Sequence, residues 1–226
     1  MRSDPHSPQG RHAVTVGDVT LTLETPPDLD ALLDRAAAND PQAVDAIPYY
    51  AIVWPASHGL ANYLWDHRAE LRGGTRVIEL GCGLGLPAIL AARLGARVLA
   101  TDFHPETGTW LLHNAALNDV SLDYQQLDWN AFLDSRLPTP DARNQACSLQ
   151  PSAYSLVFGS DLLYERRHIP ALVCAIDALC APGGHAVISD PGRDNLDLFV
   201  SSMEKNGWCH TLRAEDDIYV CRFDRD

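Results

Sequence analysis

The feature that most constrains the fold is the segment 77–86, which reads Val-Ile-Glu-Leu-Gly-Cys-Gly-Leu-Gly-Leu. A short apolar run leads into three alternating glycines, and Pro87 follows at a position that favours the first turn of a helix. Glycine permits a sharp turn and lets a ligand approach the backbone closely, because it has no Cβ. The segment therefore predicts a strand, a tight ligand-binding turn and a helix, as in α/β folds.

Two kinds of ligand are compatible with a glycine-rich turn at this place. A dinucleotide-binding turn has the pattern G-x-G-x-x-G and holds a pyrophosphate at the N-terminus of the helix. Here the glycines are Gly81, Gly83 and Gly85, and Leu86 occupies the sixth position. Glu79, near the end of the strand, would also repel a pyrophosphate. The pattern therefore favours a ligand that carries a cationic group.

A second acidic residue ends the next predicted strand. Asp102 closes the run Val-Leu-Ala-Thr-Asp and lies 21 residues after Gly81. Ligands of parallel sheets bind beyond the carboxyl ends of the strands, where a carboxylate can accept two hydrogen bonds from a ribose diol. The two segments together indicate a nucleoside that carries a cationic group.

These two segments resemble motif I and the ribose-binding acid of the class I (seven-β-strand) S-adenosylmethionine-dependent methyltransferases, over about residues 45–195. The resemblance implies S-adenosylmethionine as the cofactor and S-adenosylhomocysteine as the product. It places Glu79 near the methionine amino group, directly or through water, and Asp102 on the ribose. It also places the backbone of the turn against the cofactor, at Gly81, Cys82, Gly83 and Gly85.

Further segments resemble family 16 of these enzymes, which consists mainly of protein-lysine methyltransferases. Trp54 lies in Ala-Ile-Val-Trp-Pro-Ala-Ser before a predicted helix, and Asp128-Trp129 follows the third predicted strand of the sheet. The resemblance implies that these residues contact the cofactor, with the Asp-Trp pair at the adenine. Two alternatives stay open: Trp54 as a buried aromatic residue, and Asp128 as a turn residue that accepts backbone N–H groups.

The segment Ser160-Asp161-Leu162-Leu163-Tyr164 matches the D-x-x-Y motif of the same family after the fourth strand. The resemblance implies Ser160 beside the cofactor, Asp161 as the group that receives or orients the acceptor amine, and Tyr164 as a wall of the acceptor slot or a hydrogen-bond partner. A carboxylate stabilises an ammonium and so opposes its deprotonation, which favours substrate capture as the first role of Asp161. Alternatively, Asp161 caps the following helix.

The segment 189–193, Ser-Asp-Pro-Gly-Arg, is close to the corresponding segment of electron transfer flavoprotein β-subunit lysine methyltransferases. Asp190 there is at least as consistent with a turn as with a site. Three histidines, His58, His104 and His113, show no spacing typical of metal ligands, and we expect surface or packing roles for them and no metal site.

Three functions are therefore considered. The first is protein-lysine N-methylation with S-adenosylmethionine, and the second is N-methylation of a small molecule of the nicotinamide type. The third is a scaffold that binds the cofactor without turnover. An N-P-P-[YF] tetrad is absent after the fourth strand, which disfavours glutamine and nucleobase acceptors.

The order of patterns predicts a Rossmann-like, mostly parallel sheet of seven strands with helices on both faces and an antiparallel C-terminal strand. Residues 1–12 are expected to form a disordered tail, and 13–45 a hairpin (13–24) with a helix that Asp28 caps. Residues 46–226 form the methyltransferase domain. Within it, 134–153 are rich in Pro, Asn, Gln and Ser and predict a surface insertion.

Charge and cysteine content limit the classes of partner and the compartment that we expect. The chain of 226 residues has 17 Lys and Arg against 30 Asp and Glu, a formal charge of −13. This balance argues against nucleic acid and anionic membranes as partners, because phosphate contacts need clustered basic residues. The 6 cysteines show no C-x-x-C pair, and no secretory leader or membrane span is recognisable. We expect a cytoplasmic monomer that acts on a protein presenting a lysine.

Overall fold

The computed structural model describes residues 10–39, 47–133 and 149–225. The predicted tail up to residue 9 and most of the predicted insertion, 134–148, lie outside these ranges. The chain begins with a hairpin of β1 (Gly10–Val16) and β2 (Val19–Thr25), so the first strand starts at Gly10 and not at Ala13 as predicted. Helix α1 (Leu29–Asn39) follows, and the Asp28 carboxylate accepts the Ala31 N–H at 2.8 Å, which confirms the predicted cap.

Strands and helices then alternate as predicted. The strands are β3 (Arg76–Leu80), β4 (Arg97–Asp102), β5 (Asp123–Gln126), β6 (Tyr154–Ser160), β7 (Cys180–Asp190), β8 (Cys209–Glu215) and β9 (Ile218–Asp224). The helices are α2 (Pro55–Asp66), α3 (Leu86–Arg93), α4 (Thr107–Leu117), α5 (Ile169–Leu179) and α6 (Asn195–Lys205). None of the helices in the described ranges combines the length and apolar character that a bilayer crossing needs.

The seven strands β3 to β9 form one sheet in the order β5-β4-β3-β6-β7-β9-β8. Strands β3 to β7 pair in parallel, whereas β9 runs antiparallel to both β7 and β8. The predicted fold class is confirmed. In this order β3 and β6 are neighbours although they are distant in sequence, so the turns that follow them lie side by side at one edge of the sheet.

Alternate residues of the central strands supply two hydrophobic cores, one on each face. Ile78 of β3 and Val157 of β6 belong to the core under α5 and α6, whereas Val77 and Leu156 belong to the core under α2 and α3. Because the side chains of a strand alternate between its faces, a sheet covered on both sides needs an almost continuous apolar run. This explains the composition of the strand that precedes the glycine turn.

Besides β1, two elements differ clearly from what the local patterns predict, which is a helix over 165–180 and a strand over 185–189. Helix α5 begins at Ile169, after a short 3-10 turn at Arg166–His168. Strand β7 begins at Cys180 and not at His185, because it continues through two glycines with a register shift where it pairs with β6. A Cβ at Gly184 would lie 3.0 Å from the carbonyl oxygen of Ser155, which is tighter than an ordinary contact, so glycine favours this close pairing.

Two asparagines attach the N-terminal hairpin to the sheet domain. Asn114 lies in α4, and Asn118 follows its last residue. Asn118 exchanges hydrogen bonds with the backbone of Thr22, at 2.8 and 2.7 Å. The fully buried Asn114 accepts the Glu24 N–H at 2.8 Å and donates to the carbonyl oxygens of Glu24 and Leu84, each at 3.1 Å. Leu84 belongs to the glycine turn. The hairpin is thus coupled to that turn by one side chain.

Candidate active site

The turn between β3 and α3 is built on three glycines with positive φ. Gly81, Gly83 and Gly85 have φ of +64°, +50° and +88°, in the left-handed region that other residues adopt at a cost. The Gly85 N–H donates to the Cys82 carbonyl at 2.9 Å and closes the turn. A Cβ on Gly85 would lie 2.2 Å from Leu111 Cδ1, so this position has no room for a side chain.

Asp102, at the end of β4, holds the same turn. One carboxylate oxygen accepts the Gly83 N–H at 3.0 Å, and the other accepts the His104 N–H at 2.9 Å. Burial raises the pKa of Asp102, and these two amides oppose the rise because they stabilise its charged form. The side chain is 9% exposed. It therefore shapes the turn while one edge of it faces the adjoining cleft.

The cleft lies beyond the carboxyl ends of the central strands and has a volume of about 240 Å³. Most of the predicted site residues line it: Trp54, Gly81, Gly83, Asp102, Asp128, Trp129, Ser160, Asp161 and Tyr164. Three predicted residues, Glu79, Cys82 and Gly85, are not among its lining residues. The cleft is also lined by residues that the sequence did not single out: Ile47, Tyr49, Tyr50, Phe103, Asn130, Leu162, His168 and Ala171.

Glu79 lies behind the glycine turn with no exposed surface. Neither carboxylate oxygen makes a hydrogen bond of ordinary geometry within the described residues, although the backbone amide of Ala88 faces the group. Burial raises the pKa of Glu79 well above its usual range; the Ala88 amide opposes this and the charge of Asp102 adds to it. The carboxyl is therefore an uncompensated buried acid beneath the turn.

The Asp128-Trp129 pair lines the cleft on the side of β5. The Asp128 carboxylate accepts the backbone N–H and the side-chain amide of Asn130, both at 2.9 Å, so the turn role left open by the sequence is present. Because Asp128 itself is exposed, its other oxygen remains accessible from the cleft. The indole N–H of Trp129 is buried and has no hydrogen-bond partner within the described residues.

Aromatic rings form the rim of the cleft, which we call the aromatic rim and define as Tyr49, Trp54, Tyr164 and His168. Tyr49 lies 5.4 Å from Tyr164 and 6.2 Å from Trp54 between ring centroids, and Tyr164 lies 6.0 Å from His168. The Trp54 indole N–H donates to the Tyr49 carbonyl at 2.9 Å. Trp54 is thus only partly buried, and it is part of a wall rather than of the core.

His104 packs on Tyr50, in line with the expected packing role, and it also lines the cleft. Its ring lies 4.5 Å from that of Tyr50, between centroids, and both residues line the cleft. The Tyr50 hydroxyl in turn lies 2.6 Å from a carboxylate oxygen of Glu106. Burial lowers the pKa of His104, so the ring favours its neutral form beside the cleft. Its position two residues after the strand-ending Asp102 was the available sequence signal for this residue.

Asp161 follows β6 with a φ of +62°, and its N–H donates to the Ser189 carbonyl at 2.9 Å. It does not cap α5, which begins only at Ile169. Instead, one carboxylate oxygen pairs with the guanidinium of Arg193. The other has no hydrogen bond of ordinary geometry within the described residues, although the Ala56 amide faces the carboxylate. The sequence did not single out Arg193.

Arg193 also pairs with Asp190, at 2.9 Å. The Asp190 carboxylate is fully buried and accepts the backbone N–H groups of Gly192 at 2.9 Å and of Arg193 at 2.7 Å. The turn interpretation of Asp190 is therefore correct, with the addition of an ion pair. Within the described residues, no cluster of His, Cys, Asp and Glu has a geometry that could hold a metal ion.

Comparison with known proteins places these residues in a known family. Residues 48–206 match the family model described as lysine methyltransferase. Over 150 residues the chain is 33% identical to the electron transfer flavoprotein β-subunit lysine methyltransferase of Xenopus laevis, covering 65% of the chain and 53% of that protein. Over 131 residues it is 50% identical to the histone-arginine methyltransferase METTL23 of Xenopus laevis, covering 57% of the chain and 50% of that protein. The matches thus span about half the length of these relatives.

A solved structure supports the fold independently. The 16S rRNA N2 G1207 methyltransferase RsmC of T. Thermophilus, in complex with AdoMet and guanosine, superposes with a TM-score of 0.63. The match covers 96% of the chain and 50% of that protein at 14% sequence identity. At this identity the likeness concerns the fold alone.

Proposed function

The chain belongs to the lysine methyltransferase family, and on that premise we propose that it transfers a methyl group from S-adenosylmethionine to a nitrogen of a protein side chain. The observation that carries the proposal is one cleft lined by Gly81, Gly83, Asp102 and Asp161, which come from the ends of three neighbouring strands. A ligand in this cleft contacts the glycine turn, the candidate ribose acid and the D-x-x-Y segment at once.

The residues of the cleft fit the cofactor. The turn lines the cleft with the backbone of Gly81 and Gly83, and a glycine backbone can be approached closely by a ligand. Each Asp102 oxygen uses one lone pair on a backbone amide and retains capacity to accept from a ribose hydroxyl. Trp129 lines the cleft, and its buried indole N–H has no hydrogen-bond partner among the described residues, so it is a donor that a bound nucleoside can satisfy. Glu79 lies behind the turn, where its carboxyl favours a cationic ligand on the other side of the turn only through the electric field.

When bound, S-adenosylmethionine supplies an activated methyl group on its sulfonium. The protein must then orient the nucleophile, keep water out and hold the acceptor nitrogen in its neutral form. For a lysine, whose reference pKa is about 10.4, deprotonation at pH 7 costs about 4–5 kcal/mol. The aromatic rim favours the neutral amine because contact with apolar rings removes water from the ammonium.

Lysine is the proposed acceptor, because the matched family model is described by that activity. Arginine is a second candidate, favoured by the 50% identity to METTL23. Both side chains present a long apolar stem and a cationic nitrogen group, which a cleft with aromatic walls accommodates. A nicotinamide-type small molecule and binding without turnover are the remaining alternatives, and each predicts a different result in the labelling experiment below.

The decisive experiment is incubation of the protein with tritiated S-adenosylmethionine and a host lysate, with Asp102→Ala, in which we expect weaker cofactor binding and less label, as the control. A labelled protein band, hydrolysed to methyllysine, supports the proposal, and methylarginine supports the second candidate. Label confined to small metabolites would indicate the nicotinamide type. Cofactor binding by calorimetry without any labelled product would indicate a scaffold.

The proposal extends to the compartment, the class of partner and the oligomeric state. Within the described residues Cys82, Cys174, Cys180, Cys209 and Cys221 have free thiols, which supports a reducing compartment such as the cytoplasm. The charge of −13 favours basic protein segments over nucleic acid or an anionic membrane. We propose a monomer, and sedimentation of the purified chain tests this directly.

A further inference from the structure

A single guanidinium links two carboxylates beside the cleft. Arg193, in the turn after β7, pairs through Nη2 with Asp161 and through Nη1 with Asp190. Asp161 is 8% exposed and Asp190 is fully buried, whereas the Arg193 side chain is 31% exposed. Without the guanidinium, two carboxylates would share one desolvated site, which strongly favours protonation of one of them.

The position of this network relates it to the methyl donor. Leu162, directly after Asp161, packs on the glycine turn so closely that a Cβ on Gly81 would lie 2.5 Å from its Cδ2. Asp161 lines the same cleft as Gly81 and Tyr164. The charge on Asp161 therefore acts between the cofactor turn and the aromatic rim, where the acceptor nitrogen must approach.

We propose that Arg193 is a positioning residue that sets the charge of Asp161 at the acceptor end of the cleft, so that the acceptor nitrogen is oriented without being held as a cation. This inference rests on the proposed function. An isolated carboxylate would stabilise an ammonium and raise the pKa of the acceptor, which opposes methylation. A carboxylate already paired with a guanidinium attracts the ammonium less, because the two charges partly cancel.

The strongest electrostatic influences on the Asp161 carboxylate come from two charged side chains and one backbone amide. Its charged neighbours within the described residues are Arg193 and Asp190, both from β7 and the turn after it, and the Ala56 amide faces it from α2. Burial raises the pKa of Asp161, and the guanidinium opposes that rise. The other titratable residues that line the cleft are unchanged in every variant below, so their ionisation cancels in the comparison: Tyr49, Tyr50, Asp102, His104, Asp128, Tyr164 and His168.

The test uses two nearly isosteric probes that differ in charge. S-Adenosylmethionine carries a sulfonium and S-adenosylhomocysteine does not, so the ratio of their Kd values reports the charge near the transferred methyl. Calorimetry of the full chain from pH 6 to pH 9 compares wild type with Arg193→Gln. The matched control is Arg213→Gln, since Arg213 also pairs with two carboxylates, Asp66 and Glu215, but is 44% exposed and lies outside the cleft lining.

In wild type and in Arg213→Gln, we expect a ratio that changes little with pH. In Arg193→Gln, the pKa of Asp161 should rise further because the opposing guanidinium is gone, so its carboxyl gains uncompensated negative charge as the pH increases. The preference for the sulfonium should then increase by at least about threefold across the range, because an uncompensated charge attracts it. Arg193→Lys should restore the flat profile, and Asp161→Asn in the Arg193→Gln background should remove the rise.

A ratio in Arg193→Gln that follows wild type at every pH would overturn the inference. If that variant does not fold, Asp161→Asn alone serves as the second measurement. There Arg193 keeps only Asp190, and the preference for the sulfonium should fall by about threefold; an unchanged ratio would again reject the inference. If the wild-type chain binds neither probe, the proposed function itself fails, and that outcome is distinct from a flat ratio.

Discussion

The carboxylate of Asp102 accepts the backbone N–H of Gly83 at 3.0 Å, so the acid that ends β4 holds the turn that follows β3. This contact joins two segments that the sequence separates by 19 positions. It gives Asp102 two roles, because the same group shapes the turn and faces the cleft. Mutations here must therefore be measured for stability and for cofactor binding separately.

Asp102→Ala should weaken S-adenosylmethionine binding by about 1–3 kcal/mol, through loss of charge-assisted hydrogen bonds. Asp102→Asn keeps an acceptor oxygen for one of the two amides and should lie between the alanine variant and wild type. Calorimetry gives the affinities, and thermal unfolding without ligand gives the structural share of the effect. An unchanged Kd in the alanine variant would reject the ribose role.

Glu79→Gln should stabilise the unliganded protein increasingly as the pH rises. The folded state raises the pKa of Glu79 through burial, so its favourable contribution is complete at low pH and is lost as the pH rises through the folded-state pKa. Glutamine has no charge to desolvate, and we expect a gain of about 1–3 kcal/mol at alkaline pH. Urea unfolding at pH 5 and pH 9 measures it. The exposed Glu215→Gln serves as the control, and an equal gain at both pH values would contradict the prediction.

Gly85→Ala should destabilise the protein more than Gly207→Ala does. Both positions have a similar positive φ, +88° and +84°, so the backbone strain is nearly the same. Only at Gly85 would the new Cβ collide, 2.2 Å from Leu111 Cδ1. The difference should be about 1–3 kcal/mol, typical of an overpacked core. Equilibrium urea denaturation of the two variants tests it, and equal losses would show that the turn relaxes freely.

Asn114→Ala should loosen the N-terminal hairpin. The change removes three hydrogen bonds, two to partly buried backbone groups of Glu24 and one to the buried carbonyl of Leu84. The expected loss is about 2–4 kcal/mol, against a few tenths for the exposed Asn206→Ala. Hydrogen exchange at the Glu24 amide provides the local readout. Protection equal to wild type would show that the hairpin does not depend on this side chain.

Tyr164→Ala should lower transfer to the acceptor identified by labelling while leaving S-adenosylmethionine affinity unchanged. Tyr164 is 39% exposed and packs on Tyr49 in the aromatic rim. We expect at least about tenfold lower kcat/KM, equivalent to about 1.4 kcal/mol. Leu212→Ala, an exposed apolar residue on β8, is the control. A parallel loss of cofactor binding would make Tyr164 a structural residue.

Local patterns were sufficient for most of the fold. The apolar run before Gly81 predicted β3, the proline after the glycines agreed with the start of α3, and Asp28 predicted the cap of α1. These features depend on backbone preferences and on burial, which neighbouring residues determine. The boundaries of α5 and β7 were less accurate, because a 3-10 turn and a glycine register shift depend on packing against other strands.

The candidate site divides in the same way. The sequence alone predicted the glycine turn and Asp102, because their chemistry lies in residue types at a fixed spacing on two consecutive strands, β3 and β4, and the turn between β3 and α3. Tertiary structure alone decided that Arg193 pairs with Asp161, that His104 faces the cleft and that Glu79 lies behind the turn. These relations arise because the sheet order brings the ends of β3, β4, β6 and β7 to one edge, and a chain pattern carries no measure of such distances.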